Sequence, residues 1–396
     1  MATSKKISSF EQYLLSGKLR SDGFQRCRYS FCANSVATGA EKRFFVELYL
    51  VNPSVSPNVP VIAQRNRVST TSSAAEIQGA LTSGFDSRYS EQEVLIRPSY
   101  LLVKAGVLGQ GGKQMNDFIA PSQFVYAKQN ASIRTEQCEF SFDTLTGSIS
   151  VSEAQIRACP EMLCNAGEIK WNVRFDKSSE IRSPYNDSLI SWIPLGTRAR
   201  FAGNVILDGE EYEVTPEKSF GYIDKSWGKS LPNPYFHVSS SRLVSIISGK
   251  PLRSSSFALE GEFSTGKLCG VLSLESRQFF FGKSGILDGT KETHGCASVP
   301  SSDDGEKLHW TMSVVKGGIV IDLDVFCRAD EMFVRDYEVP QGKRTLLKVL
   351  GGGTGSGEVR VYKKHGKNLE LLEHANIYDA LCEFGRIEEI GSGSSD

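Results

Sequence analysis

Gly167-Glu168-Ile169-Lys170-Trp171-Asn172-Val173-Arg174-Phe175 is the stretch that sets the fold class. Ile169, Trp171, Val173 and Phe175 fall at every second position, with charged or amide residues between them. Side chains alternate across a strand, so this period places four large apolar groups on one face and a solvated set on the other. The stretch therefore predicts a half-buried β-strand of a meander.

The same signature recurs in both directions. Upstream lie Arg43-Phe44-Phe45-Val46-Glu47-Leu48-Tyr49-Leu50-Val51, Ser99-Tyr100-Leu101-Leu102-Val103 and Cys138-Glu139-Phe140-Ser141-Phe142. Downstream, Arg200-Phe201-Ala202-Gly203-Asn204-Val205-Ile206-Leu207 runs into Asp208-Gly209, a strong hairpin signal. Further branched and aromatic runs follow at Ser256–Gly261, 268–274, 310–315, 319–325 and 358–362. Helix signals are few and short: 10–19, 329–335 (equally readable as a strand) and 375–384. Residues 68–91 read as a loop, 351–357 as a glycine-rich flexible hairpin, and 391–396 as a disordered tail. Gly109-Gln110-Gly111-Gly112-Lys113 reads as a turn from which Gln114 and Asn116 can reach a barrel mouth. Many short, sequentially paired strands predict an all-β protein of two antiparallel β units with few short helices, at 20–190 and 191–388.

Composition narrows the function. Lys and Arg number 45 against 46 Asp and Glu, a net charge of −1 without the basic surplus of a nucleic-acid protein. No apolar run approaches the roughly 18–20 residues of a membrane span, and the first ten residues carry no signal-peptide core. The nine cysteines are odd in number, and Cys27/Cys32 and Cys159/Cys164 lack a matching histidine cluster. That pattern points to a reducing, cytoplasmic setting without a metal centre or other cofactor.

Chemistry concentrates at 221–237: Gly221-Tyr222-Ile223-Asp224-Lys225-Ser226-Trp227-Gly228-Lys229-Ser230-Leu231-Pro232-Asn233-Pro234-Tyr235-Phe236-His237. With the preceding Asp208-Gly209-Glu210-Glu211-Tyr212, this run resembles the signature of the tocopherol cyclase-like family, a Gly-Tyr-x-acid-Lys-x-Trp-Gly-x-Ser-aromatic-Pro pattern after an Asp-Gly hairpin. Trp192-Ile193-Pro194 and Ala380-Leu381-Cys382-Glu383-Phe384-Gly385 also match its style. The chain departs from the pattern in having Asp224 for the usual Glu and Leu231 for an aromatic, and it lacks the early Gly-Trp-Tyr. The family is related to carotenoid hydratases and lipocalin-like pericyclases, so the resemblance implies two tandem lipocalin-like antiparallel β-barrels. It also implies a hydrophobic isoprenoid or polyketide-like ligand, with cofactor-free cyclisation, hydration or isomerisation as the reaction class.

Protonating an alkene requires a carboxylic acid held neutral, with aromatic faces around the developing cation. Asp224 is the expected proton donor, with Lys225 and His237 as polar auxiliaries and Tyr222, Trp227, Tyr235 and Phe236 as the ligand wall. Strand alternation puts Tyr222, Asp224 and Ser226 on one face and Ile223, Lys225 and Trp227 on the other. A non-catalytic lipophile carrier is the alternative, and a β-sandwich binding module a third reading. The ligand's identity and the oligomeric state are not encoded in any motif.

Overall fold

The computed structural model describes residues 11–64, 96–177, 185–186, 188–261, 268–275, 277–282, 290–300, 305–342 and 345–389. The expected loop at 68–91 and tail at 391–396 lie outside the described residues. Among the described residues the chain is all-β, folded into a 13-stranded and an 11-stranded antiparallel sheet. Both sheets are barrel-like, and alternation decides what fills them. From Glu41–Val51, the side chains of Phe44, Val46, Leu48 and Leu50 join the first interior core. From Gly167–Lys177, Ile169, Trp171, Val173 and Phe175 join the same core, as their period requires.

Gly221–Gly228 is the staple of the first sheet. It pairs with Phe24–Ser35 on one side and Ile190–Leu207 on the other, bringing chain positions about two hundred residues apart into adjacent strands. The hairpin from Ile190–Leu207 into Glu210–Val214 turns at Asp208 and Gly209 with φ of 50° and 87°, the paired positive values of a type I′ turn. The chain passes to the second sheet between Gly228 and Tyr235, later than the expected boundary at 190/191, because Ile190–Leu207 hydrogen-bonds to Gly167–Lys177.

Four sequence expectations change. Residues 375–384 are not helical; they belong to the 22-residue strand Asn368–Glu389, whose ladder with Thr345–His365 overrides the local helix propensity of Ala, Leu and Glu. Residues 351–357 are not a hairpin but the bulged middle of Thr345–His365. Their glycines permit close approach: a Cβ on Gly357 would stand 1.9 Å from the Asp324 carbonyl oxygen, and one on Gly353 would stand 2.2 Å from Cys327 Sγ. Of the expected piece at 10–19, the described residues show a 3₁₀ turn at Glu11 and at Gly17–Arg20, with non-helical chain between them. The segment 329–335 splits into a 3₁₀ turn, Ala329–Glu331, and the start of the strand Phe333–Glu338. No described helix is long and apolar enough to cross a membrane.

Candidate functional site: a buried ionic seam and a cleft beside it

The two sheets meet along a seam, and strands on both sides are buried on both faces. In Phe24–Ser35, Cys27, Tyr29 and Phe31 enter the first barrel, while Arg26 and Arg28 point at the second. In Tyr235–Ser240, Phe236 and Val238 enter the second barrel, while Tyr235 and His237 turn back to the seam. Tyr222 and Asp224 complete the meeting from Gly221–Gly228. Four of the seven expected site residues, Tyr222, Asp224, Tyr235 and His237, therefore converge.

The other three do not. Phe236 packs in the second barrel's core, and Trp227 packs against the first barrel's core. Lys225 is buried and donates from Nζ to the carbonyl of Gln12, tying the N-terminal segment across the barrel end. Lys225 is thus an anchor rather than an auxiliary of Asp224, because successive strand residues face opposite ways.

Arg28 is the hub of the seam. It grips Asp224 with two donors, Nε at 3.2 Å from Oδ1 and Nη2 on Oδ2, and it also donates to Glu383 and to Tyr235 Oη. Asp224 Oδ2 further accepts Trp192 Nε1 at 3.1 Å and Tyr222 Oη at 2.9 Å. Burial pushes the Asp224 carboxyl up, but Arg28, then Arg26, pull it down further, so it sits below its ordinary value. Asp224 is therefore an ionised acceptor at neutral pH, not the neutral acid the alkene chemistry demands.

The seam sets three guanidiniums, Arg26, Arg28 and Arg335, against four carboxylates, Asp224, Glu47, Glu260 and Glu383. Arg26 pairs with Glu260 at 3.1 Å, and Arg335 pairs with Glu383 at 2.5 Å and Glu47 at 3.3 Å. Glu383 is held well below the carboxylate range because Arg28 and Arg335 outweigh its burial. Burial, then Arg28, lower His237, so its ring is neutral at pH 7. With Nδ1 3.1 Å from Glu260 and Nε2 3.0 Å from Ser239 Oγ, that neutral ring satisfies both neighbours. Ligand atoms of Asp224, His237 and Glu260 lie within 4.8 Å of one another, a spacing that could hold a metal ion. Arg28 Nη2 already contacts all three, so a guanidinium occupies that cation position.

The first barrel also opens. Lys113–Ile119 and Thr144–Val151 face each other without a hydrogen-bonded ladder, and a capping segment with the helix Glu153–Ala158 and the turn Pro160–Met162 crosses the gap. A cleft of about 450 Å³ lies there, with Ile149, Val151, Ile156 and Met162 as apolar walls and Asn116, Asp117, Gln137 and Glu168 as polar ones. Burial raises Asp117. Behind Asn116 and Met162 a small chamber of about 10 Å³ is lined by Lys104, Gln114, Asp336 and Glu338. Burial lowers Lys104 to about 8 and pushes Glu338 up to about 7.

Gln114 and Asn116 lie on the strand face opposite the core residue Met115 and bond the carbonyls of Leu163 and Met162. Sequence reading missed Arg26, Arg28, Glu47, Lys104, Glu260, Arg335, Glu338 and Glu383 as site residues. The available signal was charge inside otherwise apolar strands, as in Phe45-Val46-Glu47-Leu48-Tyr49.

No family model and no curated protein matches the chain. Among solved structures, an AttH candidate from Nitrosomonas europaea aligns over 96% of this chain and 99% of its own, at TM-score 0.45 and 11% identity. Kievitone hydratase from Nectria haematococca aligns over 93% of this chain and 94% of its own, at TM-score 0.40 and 10% identity.

Proposed function

We propose that the protein binds a hydrophobic, isoprenoid or polyketide-like small molecule in the first-barrel cleft, with cofactor-free cyclisation, hydration or isomerisation as its reaction class. The cleft carries this reading. Its 450 Å³ falls inside the roughly 300–1,000 Å³ of small-molecule sites, and Ile149 and Val151 on its wall join it to the first apolar core. Alkene protonation needs a carboxyl that is still protonated near neutrality. Arg28 denies that state to Asp224, whereas burial favours it at Asp117 and Glu338. The Tyr222–Asp224–Tyr235–His237 cluster then acts as the lock that holds the barrels in register.

One observation favours a carrier instead. Both Glu338 oxygens accept backbone N–H groups, from Ala63 at 3.2 Å and Gln64 at 2.8 Å, which gives that acid a structural occupation. The purified protein is extracted with organic solvent, the lipophile identified by mass spectrometry, and turnover of that compound followed in wild type, Glu338→Gln and Asp224→Asn. Turnover lost in Glu338→Gln and kept in Asp224→Asn supports the enzyme reading. Tight binding without turnover by wild type establishes the carrier, and absence of any bound or binding lipophile sinks both.

A further inference from the structure

The chamber behind the cleft holds an excess of hydrogen-bond acceptors. Gln114 is 4% exposed, and its Nε2 is committed to the carbonyls of Leu163 at 2.7 Å and Val334 at 2.9 Å. Those bonds fix the amide orientation, which leaves Gln114 Oε1 buried with no partner. Asn116 repeats the arrangement, its Nδ2 on Met162 O at 2.7 Å and its Oδ1 buried and unpartnered. Asp336 Oδ1 is a third such oxygen, and all three residues line the chamber. Buried polar atoms are nearly always satisfied, so three orphaned acceptors around one space mark a place for a donor.

The complementary donor can be specified. Lys104 also lines the chamber, with one of its three N–H groups given to the Asp336 carbonyl at 3.0 Å. A cationic head would meet this ammonium and the neighbouring Arg335; an anionic one would meet the orphaned oxygens. A neutral O–H both donates to an amide oxygen and accepts from Lys104. The volume, about 10 Å³, suits one heavy atom of that kind.

We propose that the chamber between Lys104, Gln114, Asn116 and Asp336 is a subsite for one hydroxyl group, carried by the hydrophobic molecule whose body fills the adjoining cleft. The subsite rests on the cleft reading of the preceding section. It makes the preferred ligand a terpenoid or phenolic alcohol rather than a hydrocarbon or ether. Asn116 and Met162 line both spaces, and the hydroxyl would enter past the unbranched Met162 side chain.

Geraniol and geranyl methyl ether, equal in apolar body and different at the one O–H, are titrated calorimetrically into the full-length protein and into Gln114→Met. Wild type is expected to bind the alcohol about tenfold more tightly than the ether, the loss that accompanies one unmade buried hydrogen bond. In Gln114→Met, checked for native circular dichroism and melting, the ratio falls towards one. Equal affinity of wild type for alcohol and ether overturns the subsite and leaves the cleft standing, as it would if the chamber held only water. A tenfold ratio that survives in folded Gln114→Met also overturns it. Binding of neither compound removes the cleft reading and the subsite together.

Discussion

Replacing Arg28 with Met tests the seam most severely, because the change keeps an unbranched chain while deleting the hub cation. Arg28 is shared by Asp224, Glu260, Glu383 and Tyr235, all buried. Each acid keeps other partners: Trp192 and Tyr222 on Asp224, Arg26 and His237 on Glu260, Arg335 and Tyr235 on Glu383. The loss is therefore that of one broken buried pair rather than three, about 3–5 kcal/mol. For units of this size that corresponds to a fall in melting temperature of about 6–20 °C. The pH dependence carries the sharper signature. In wild type the Asp224 and Glu383 carboxyls are depressed, so their stabilisation is present above the unfolded value near 4 and is lost only as pH falls through the folded values. Without Arg28, burial dominates and raises these acids, and their protonation below neutrality relieves the orphaned charge. Urea unfolding followed by tryptophan fluorescence at pH 7.5 and 5.0 should show the gap between variant and wild type narrowing at pH 5.0. A loss under about 1 kcal/mol, or a gap that does not change with pH, would refute the account of Arg28 as the hub of the seam.

Glu338→Gln addresses the one acid that burial lifts to about 7. A raised folded value gives stability that is full below the unfolded value near 4.5 and lost as pH rises through 7, so wild type should lose about 3 kcal/mol across that window and the Gln variant should not. Lys225→Met frees the Gln12 carbonyl, and chymotryptic cleavage after Tyr13 should accelerate several-fold over wild type; unchanged cleavage there would show that Lys225 is not the anchor. Gly357→Ala must displace the Asp324 carbonyl and should cost about 1–3 kcal/mol, whereas Gly295→Ala, with open space around it, should stay within about 0.5 kcal/mol.

The strand reading succeeded wherever one face was wet and the other dry. Gly167–Lys177 shows this, with exposed Lys170, Asn172 and Arg174 between buried partners. Alternation likewise separated Tyr222 and Asp224 from Ile223, Lys225 and Trp227. It could not show what Asp224 meets, because the deciding partner comes from Arg28, 196 positions away, and the Arg28–Glu383 bond spans 355. A carboxylate beside aromatics reads as a proton donor in sequence; a guanidinium folded onto it reverses that state. Glycine misled at 351–357 for a related reason. It weakens an isolated strand, yet in this sheet the bare Cα lets the Asp324 backbone and the Cys327 sulfur approach. The cleft was hinted at only by Asn116, and the chamber beside it by Gln114, since the cleft's volume is a property of two strands that fail to pair.

The central claim is that ligand binds in the first-barrel cleft while the family-like motif serves the seam. Calorimetric titration of geraniol into wild type, Ser148→Trp and Asp224→Asn, at a temperature where all three are folded, tests it directly. Ser148 lines the cleft, and an indole there takes up its space. The account predicts that Ser148→Trp abolishes binding and that Asp224→Asn keeps the wild-type affinity. Binding retained by Ser148→Trp and lost in folded Asp224→Asn would contradict it and return the ligand to the seam.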